Sequence, residues 1–396
     1  MTASPSVVWV LPDKMGGVFN LVSGVIAHAD GGRFVHRMVL TDALLEVDTR
    51  SPSEVLAGSR TRVEHRLPVE NLYAVLRRLR DALPEGEGVL VANDWLELAA
   101  ATAFDTRRTV VQIVHGDYDY YYDLATRHER VIDVFVTCAQ RIAEQLRLRL
   151  PHRGDDIVHL ATGVSVPGRS RPPAHAGPLR LVFVGRIVSG KGVFDLPRID
   201  AALARSGIAV TWTIIGSGPD ESQLRSQWSG DRVRHTGALS HAEVLTLYPE
   251  HDMLVLPSRA EGLPLTMLEA MGAGVVPLMS DLPNGIRDAI VPGESGWLAA
   301  VGDSEAFAAA IATMHADRSR LDAMSMASRR RVAASFDIVQ MASGYDRLFA
   351  RHAELRRPRA RALPMPYGSR LDRQWMPNAA VTAVRTAVRR ATGKPC

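Results

Sequence analysis

Two acidic residues, Glu261 and Glu269, are separated by seven residues in the segment PSRAEGLPLTMLEAMGA at 257–273. A carboxylate accepts hydrogen bonds from hydroxyl groups, and two carboxylates at a fixed spacing can hold two ends of one polar ligand. The pair therefore favours the recognition of a polyhydroxylated molecule.

The elements around the pair set its spacing. Residues 253–256 are typical of a short buried strand, and Pro264 suits the first turn of a helix, where its missing N–H costs nothing. From Pro264 to Glu269 the helix advances roughly 7–8 Å, at about 1.5 Å per residue. Glu261 is expected to stay in the loop ahead of the helix.

The start of this helix favours an anion. The amides of Leu265 and Thr266 have no acceptor within the helix, and the helix dipole adds positive potential there. An anion flanked by two carboxylates suggests a diphosphate with a sugar on one side and a ribose on the other. The pair alone is also compatible with an ordinary amphipathic helix that carries an acid in its first turns and binds no ligand.

Two cations follow another apolar run, LRLVFV at 179–184. Gly185 and Arg186 come directly after this run, and Lys191 lies in the next loop. Arginine binds a diphosphate through its planar fork, and lysine binds it as a point charge. The stretch GRIVSGK at 185–191 also fits the first part of a P-loop. Gly192 stands where that motif needs Ser or Thr for magnesium, which argues against an ATPase.

Paired glycines occur at two other predicted strand ends. Gly16 and Gly17 precede a helical pattern in LPDKMGGVFNLVSGVIAH, and Gly216 and Gly218 lie in TWTIIGSGPDESQL. Glycine lets the backbone approach a phosphate, a sugar or a base closely. A tight turn between a strand and a helix needs glycine as well, so both explanations stay open. The loop at 235–239 is a weaker candidate for a base pocket.

A histidine and a group of tyrosines form a further candidate site. The segment VVQIVHGDYDYYYDLA places His115 at a predicted strand end, and half of the eight tyrosines fall within the five positions 118–122. Tyrosine rings pack against sugar faces while their hydroxyls make hydrogen bonds. We expect His115 to be functional and assign acceptor contacts to Asp117, Tyr118 and Tyr120.

The composition is that of a globular protein. At 396 residues, with 46% hydrophobic and 23% charged residues, the chain is long enough for two domains. Two cysteines, Cys138 and Cys396, cannot build a disulfide framework, which favours a reducing compartment. The short apolar run at 7–11 follows no basic segment and predicts a first strand rather than a signal peptide. No apolar run reaches the about 18 residues that a membrane span needs.

The formal charge of +4 is unevenly distributed. Residues 341–396 contain twelve Lys or Arg against three Asp or Glu, so the rest of the chain is net negative. RRPRAR at 356–361 and VTAVRTAVRR at 381–390 are compatible with contact to an anionic membrane surface. A solvated or partly disordered tail explains them equally well, and they give no specific support for nucleic-acid binding.

Short apolar runs alternate with helical patterns, which predicts parallel, doubly wound sheets of the α/β class. The runs lie at 7–11, 89–92, 110–114, 131–137, 179–184, 210–215, 253–256 and 275–279. The Pro- and Gly-rich segment 169–178 predicts a linker between domains at 1–168 and 179–340, followed by a C-terminal helix and basic tail at 341–396. Ligands in such folds lie beyond the carboxyl ends of the strands, so we expect the two domains to face a central cleft.

These motifs resemble the retaining glycosyltransferases of family four, which have the GT-B fold of two Rossmann-like domains. The resemblance covers about residues 6–340. It is carried, in the family's order, by Gly16-Gly17, His115, GRIVSGKG at 185–192, GSGP at 216–219 and EGLPLTMLEAMGAGVVP at 261–277. Thr162 departs from the family pattern, which often has Asn before the Gly-Val at 163–164.

The resemblance implies which residues hold the donor. Arg186 and Lys191 would bind the diphosphate, with Gly17 near the donor phosphate or sugar. Glu269 would bind the ribose hydroxyls.

The transferred sugar would be recognised by four residues. Glu261 would contact its hydroxyls, aided by the backbone of Gly262 and Leu263. His115 would lie beside it. No metal is implied, and no cofactor besides the nucleotide sugar.

The implied activity is the transfer of a sugar, with retention, from a UDP- or GDP-sugar to a glycan or lipid-linked acceptor. Bacterial cell-surface polysaccharide or glycoconjugate synthesis is the expected process, in the cytoplasm and at the inner face of the membrane. A nucleotide-sugar epimerase of the same fold and a noncatalytic nucleotide-sugar-binding protein stay open as alternatives.

Overall fold

The computed structural model describes residues 5–14, 16–45, 60–173, 176–283, 285–359 and 364–392. Residues 174–175 of the predicted linker, 360–361 of the RRPRAR segment, and Cys396 lie outside the described residues. The chain forms two compact units. The first comprises Met1–Cys138, Ile142–Leu160 and Ala342–Cys396, and the second Ala139–Arg141 and Ala161–Met341.

The first unit contains seven described strands: β1 (Ser6–Pro12), β2 (Val35–Ala43), β3 (Arg60–His65), β4 (Gly88–Ala92), β5 (Thr109–Val114), β6 (Val134–Thr137) and β7 (Ile157–His159). They form a parallel sheet in the order β3-β2-β1-β4-β5-β6-β7. The helices that accompany them are α1 (Gly17–His28), α2 (Leu72–Ala82), α3 (Trp95–Ala103), α4 (Asp119–Arg127) and α5 (Gln140–Arg149).

The second unit contains six described strands: β8 (Leu179–Val184), β9 (Val210–Ile215), β10 (Val233–Gly237), β11 (Met253–Leu256), β12 (Val276–Ser280) and β13 (Trp297–Ala299). They are parallel, in the order β10-β9-β8-β11-β12-β13. Its helices are α6 (Leu196–Arg205), α7 (Glu221–Gln227), α8 (His241–Leu247), α9 (Leu265–Gly272), α10 (Ile286–Ala289), α11 (Ser304–Ala316) and α12 (Arg318–Ser335).

Three further helices follow: α13 (Ile338–Ala350), α14 (His352–Leu355) and α15 (Asn378–Thr392). The boundary between the two units falls within α13, after Met341. From Ala342 onward the chain belongs to the first unit. Within the described residues, no helix has the length and apolar character needed to cross a membrane.

Each sheet reverses its winding direction at one point, between β1 and β4 in the first unit and between β8 and β11 in the second. Loops at such a switch point diverge and leave room for a ligand at the carboxyl ends of the strands. Two of the predicted candidate segments therefore follow switch-point strands. Gly16-Gly17 comes after β1, and Gly185-Arg186 comes after β8.

The predicted parallel sheets are confirmed. The runs at 179–184, 210–215 and 253–256 have the observed bounds of β8, β9 and β11, and β6 begins three residues later than predicted, at Val134. Strands β2, β3, β7 and β13 were not predicted. The first two carry polar and charged residues along much of their length, and the last two have only three residues each.

An aromatic cluster attaches α13 to the first sheet. Trp9, which is fully buried on β1, lies 5.8 Å from the ring of Tyr345 and 5.6 Å from that of Phe349. Phe34 meets Phe349 edge-on at 6.3 Å. These edge-to-face contacts stabilise the fold beyond what the burial of apolar area contributes. The part of α13 that carries Tyr345 and Phe349 therefore belongs to the core of the first unit.

The basic tail is largely folded. Arg357 and Arg359 form ion pairs with Asp156 and Asp133, respectively. The last stretch, for which a solvated or disordered state was one expectation, forms α15 instead. Beyond its valines and alanines, this helix buries Arg385, whose guanidinium donates to the Asp372 carboxylate at 2.6 Å. Contact of the tail with a membrane stays a prediction.

The segment 169–178, predicted as a linker, clusters with the second unit. Arg171 is buried there, donates its backbone amide to Ala273 at 2.8 Å, and donates its guanidinium to Asp252 at 3.1 Å. Asp252 also accepts from the guanidinium of Arg180 at 2.9 and 3.0 Å. These bonds hold the carboxylate charged, because they lower its pKa more than its burial raises it.

The aromatic cluster predicts that Phe349→Ala lowers the free energy of unfolding of the first unit by about 3–5 kcal/mol, because it leaves a cavity beside Trp9. Urea denaturation measures the loss. Val339→Ala in the same helix, where 52% of the side chain is exposed, serves as the control and should cost far less. Equal losses in the two variants would show that the cluster does not stabilise the unit.

Candidate functional site

The loops at the carboxyl edge of the second sheet approach one another at backbone contact. Gly192 has φ +69°, and a Cβ there would lie 1.9 Å from the carbonyl oxygen of Pro257. A Cβ on Gly216, at φ +139°, would lie 1.9 Å from the carbonyl oxygen of Gly185. Only glycine fits either position, so Gly192 and Gly216 are required by the packing of the loops themselves.

Arg259 ties two of these loops together. Its amide donates to the carbonyl of Gly190 at 2.9 Å, and its guanidinium donates to both oxygens of the buried Asp195 at 2.7 and 3.2 Å. The segments 189–195 and 257–261 are thereby held at a fixed distance. Neither residue was predicted to matter, because the two lie 64 positions apart.

Lys191 and Glu261, both predicted as site residues, meet directly. The Lys191 ammonium donates to the two Glu261 oxygens at 2.6 and 2.7 Å, and the Ser258 hydroxyl donates to one of them at 2.7 Å. Glu261 is almost buried, whereas one third of the Lys191 side chain is exposed. The pair thus presents a cation and a hydrogen-bonding carboxylate at one point of the loop edge.

Helix α9 begins at Leu265, next to the predicted start at Pro264, and Glu261 lies in the loop before it, as expected. Pro264 is its N-cap, and the first intrahelical bond runs from the amide of Met267 to the Pro264 carbonyl at 3.1 Å. The amides of Leu265 and Thr266 precede this bond and have no acceptor within the helix. They can donate to an anion at the helix start.

Glu269 lies on α9 and is paired with a residue that was not predicted. The His241 Nε2 lies 2.8 Å from the Glu269 carboxylate, which is itself almost buried. This hydrogen bond raises the pKa of His241 above its usual value. His241 begins α8, just beyond the loop at 235–239 that was considered for a base pocket. The sequence signal for the start of this helix was Ser240, the N-cap residue directly before His241.

The remaining predicted residues of this unit lie on the same loop edge. Arg186 follows β8 with its side chain exposed, and the backbone of Gly262 and Leu263 joins Glu261 to the start of α9. Among the described residues, no group of three or more His, Cys, Asp or Glu side chains could hold a metal ion.

In the first unit, His115 follows β5 and is oriented by Asn93. The Asn93 side-chain nitrogen donates to the Val10 carbonyl at 2.8 Å, so its oxygen faces His115 Nε2 at 2.8 Å. An amide oxygen only accepts, which places the His115 proton on Nε2. Burial lowers the pKa of His115 to about 3. The ring is therefore neutral at physiological pH.

The tyrosines after His115 serve different purposes. Tyr120 hydrogen-bonds to Asp94 and lines a cavity, and Tyr122 donates to Asp117 at 2.6 Å. Tyr118 is the partly exposed N-cap of α4 and is not among the residues that line this cavity. Of the three predicted acceptor contacts, the structure brings Tyr120 alone to the cavity.

The glycine pair of the first unit begins α1. Gly16 is the N-cap in extended conformation, and no described atom lies within 4 Å of the position its Cβ would take. Gly17 is the first residue of the helix. The space beside Gly16 is therefore open. Local packing does not require a glycine there, in contrast to Gly192 and Gly216.

Part of the second unit is similar to known proteins. Residues 178–317 match the family model described as Glycosyl transferases group 1. Glycogen synthase of Mycobacterium tuberculosis is 31% identical over 215 residues, which cover 52% of this chain and 51% of that protein. The amylovoran biosynthesis glycosyltransferase AmsK of Erwinia amylovora is 31% identical over 170 residues, covering 40% and 42%. The matched region spans about half the length of these curated relatives.

A solved structure matches over a larger part of the chain. The Anabaena protein HepE, in complex with UDP and glucose, has a TM-score of 0.71 and 16% identity over 87% of this chain and 99% of that one. The GT-B fold is thereby confirmed. Together with the family match, these findings support a glycosyltransferase domain of the group 1 type, with relatives in polysaccharide biosynthesis.

The loop packing predicts that Gly192→Ala lowers the free energy of unfolding of the second unit by about 2 kcal/mol or more, because both the positive φ and the Pro257 carbonyl oppose a Cβ. Gly190→Ala, two residues earlier, is the control: no described atom lies within 4 Å of its Cβ position. Urea denaturation of both variants checks the difference. A Gly192→Ala protein as stable as Gly190→Ala would contradict the close approach.

His115 is predicted to stay neutral, protonated on Nε2, between pH 5 and 8 because burial disfavours its charged form. Long-range proton–nitrogen NMR measures the tautomer and the protonation state of His115, and the His115→Asn variant assigns its signals. His241, whose pKa is raised, serves as the comparison. Because the folded pKa lies below the unfolded value, His115 favours the fold fully above about pH 6.5. That contribution is lost as the pH falls towards 3. A His115 titration near pH 6–7 would contradict the assignment.

Proposed function

We propose that this protein is a retaining glycosyltransferase of family four that transfers a sugar from a nucleoside-diphosphate sugar, UDP- or GDP-linked, to a glycan or lipid-linked acceptor. The observation that carries the proposal is the contact between Lys191 and Glu261 beside the start of α9. It combines a cation, a carboxylate and helix amides within the region that matches group 1 glycosyltransferases.

The diphosphate would bind where positive charge is available. Arg186 is exposed, and the amides of Leu265 and Thr266 point out of the helix start. Lys191 is neutralised by Glu261 in the structure, so a diphosphate would compete with that carboxylate for the ammonium group. Arg186 and the helix amides would add further positive potential for the diphosphate.

The two acids would recognise hydroxyl groups at either side of the diphosphate. Glu261 would accept from the transferred sugar, next to the backbone of Gly262 and Leu263. Glu269 would accept from the ribose. Its hydrogen bond to His241 holds the carboxylate in one orientation, which lowers the entropy lost when a ribose binds.

The chemistry follows from the charges that develop. The bond between the anomeric carbon and the phosphate oxygen breaks, and its electron pair leaves with the nucleoside diphosphate. Arg186, Lys191 and the helix amides would stabilise this growing negative charge. An acceptor hydroxyl then attacks the sugar from the same face, and its proton goes to the departing phosphate oxygen. Retention thus requires no carboxylate nucleophile.

The first unit would contribute recognition rather than charge. His115 is neutral and donates from Nε2 to Asn93, which suits a hydrogen-bonding contact to a sugar better than proton transfer. Gly16 and Gly17 would allow a phosphate or sugar to approach the start of α1. Tyr120, with Asp117 and Tyr118, stays our candidate for the acceptor. Cell-surface polysaccharide or glycoconjugate synthesis at the inner face of a membrane is the proposed setting.

The proposal predicts that Lys191→Ala and Glu261→Ala each lower transfer by at least about 100-fold, because each removes a group that acts on the donor. UDP, GDP, ADP and their sugars are first compared by the shift they cause in melting temperature. UDP-glucose is included because HepE was solved with UDP and glucose. Product formed from the stabilising donor is then quantified by chromatography.

Arg205→Ala is the matched control, since Arg205 pairs with Glu305 on an exposed face of the same unit. It should leave the melting shift and the rate unchanged. Near-normal transfer by Lys191→Ala or Glu261→Ala would refute the assignment of these residues. Formation of a new sugar epimer from donor alone would favour an epimerase, and no melting shift with any nucleotide would refute the donor site.

A further inference from the structure

Glu97 is a buried acid next to the loop that follows β4. It lies in the first turn of α3, and only 1% of the residue is exposed. One of its oxygens, Oε1, accepts from the backbone amides of Asn93 and Asp94 at 2.6 Å each. The other oxygen, Oε2, has no hydrogen-bond partner among the residues that the structure describes. Since the burial of a carboxyl group is costly, the two amide bonds are the return for placing an acid here.

These two bonds exceed what the start of a helix requires. In a capping box, a glutamate three residues after the N-cap accepts from the amide of the N-cap residue. Helix α8 has this ordinary form, in which the exposed Glu243 accepts from the amide of Ser240 at 2.8 Å. Glu97 caps α3 in the same way through Asp94, and it also binds the amide of Asn93, one residue before the cap. Burial and the second bond distinguish Glu97 from Glu243.

Asn93 connects Glu97 to His115. Glu97 holds the backbone of Asn93, and the carbonyl of Val10 accepts from its side-chain nitrogen at 2.8 Å. The side-chain oxygen then faces Nε2 of His115 at 2.8 Å. If the oxygen and the nitrogen of this amide exchanged places, the Val10 carbonyl would face an acceptor, which is unfavourable. The tautomer of His115 therefore depends on where the backbone of Asn93 is held.

Asp94 connects the same acid to Tyr120. The backbone amide of Asp94 is held by Glu97, and its carboxylate accepts from the amide of Trp95 at 2.8 Å and from the hydroxyl of Tyr120. Tyr120 is the predicted acceptor residue that lines a cavity of the first unit. One buried carboxyl group thus holds the two neighbouring residues to which His115 and Tyr120 are hydrogen-bonded.

The protonation state of Glu97 predicts which side chain can replace it. Burial, together with the charge of Asp94, raises the pKa of Glu97 to about 8, so the uncharged acid predominates at pH 7. A glutamine side chain has the shape of this acid and the same carbonyl acceptor. Glutamine should therefore preserve both amide bonds.

We propose that Glu97 is a positioning residue for glycosyl transfer, which holds Asn93 and Asp94 so that His115 and Tyr120 keep their orientations. The proposal rests on the proposed function and adds to it a residue that touches neither donor nor acceptor, because its carboxyl group is buried within the first unit. A residue that only capped α3 would stabilise the helix and leave His115 unchanged.

The test compares three variants of the full chain. Glu97→Met removes the acceptor with little change in volume, whereas Glu97→Gln keeps it. Asp303→Ala is the matched control, because it removes an N-cap bond of the same kind, from the amide of Ala306 at 2.9 Å, at the start of α11. Long-range proton–nitrogen NMR reports the tautomer of His115. Initial rates give kcat and KM for the nucleotide sugar that causes the largest shift in melting temperature.

Glu97→Met should populate both neutral tautomers of His115 and lower kcat at least about tenfold, because a small displacement of an active-site group is costly in rate. The KM for the donor should change less, since the diphosphate is assigned to the second unit. Glu97→Gln should keep the wild-type tautomer and a kcat within about twofold, as glutamine also forms capping boxes. Asp303→Ala should lower the melting temperature and leave the tautomer and kcat unchanged.

A wild-type His115 tautomer or an unchanged kcat in Glu97→Met would overturn the proposal. An equal loss of kcat in Glu97→Gln or in Asp303→Ala would overturn it as well. If Glu97→Met does not fold, hydrogen exchange in the wild type and in Glu97→Gln decides. The amides of Asn93 and Asp94 should exchange slowly in both proteins, and rapid exchange in either would contradict the proposal.

The NMR measurement does not depend on activity, so the two proposals can fail separately. A changed tautomer in Glu97→Met, with no transfer by the wild type from any nucleotide sugar, would support the positioning of His115 and reject the proposed function. Transfer by the wild type, with an unchanged tautomer in Glu97→Met, would reject the positioning role alone.

Discussion

The loops of the second unit depend on one steric constraint, the contact of backbone with backbone at the carboxyl edge of the sheet. At Gly192 and Gly216 the neighbouring carbonyl oxygens occupy the space of a side chain. The segment before α6 therefore packs against the segment after β11. Arg259 stabilises this contact through hydrogen bonds to Gly190 and Asp195. The position of Lys191 against Glu261 follows from this packing, because each lies within four residues of it.

Acidic side chains at the candidate sites of both units have hydrogen-bonded or ion-paired partners. In the second unit the acids are matched by hydrogen-bond donors: Glu261 by Lys191, and Glu269 by His241. A positive potential is left over at the helix start, which suits a phosphate. In the first unit the cavity that Tyr120 lines contains both carboxylates and cations, and two of its acids are paired with arginines, Asp13 with Arg62 and Asp372 with Arg385.

Local patterns predicted the strands that are buried on both faces, such as β4 and β11, since these are continuous apolar runs. Polar strands such as β3 lack that signal. The site was predictable in part, because Glu261 and the start of α9 lie within one short motif. The pairing of its residues was not, because Lys191 lies 70 positions from Glu261 and Asp195 lies 64 positions from Arg259. No local pattern reports such distances, and only the folded chain brings these residues together.

The discontinuity of the first unit affects the order in which the two units fold during synthesis. Trp9 is synthesised more than 300 residues before Tyr345 and Phe349, which cover it. At a synthesis rate of about 5–20 residues per second, the apolar face around Trp9 stays uncovered for roughly 15–70 seconds. The second unit, almost continuous in sequence, is complete before the first can close. The first unit thus finishes folding last, and during synthesis its sheet is the part of the chain that most needs protection from aggregation.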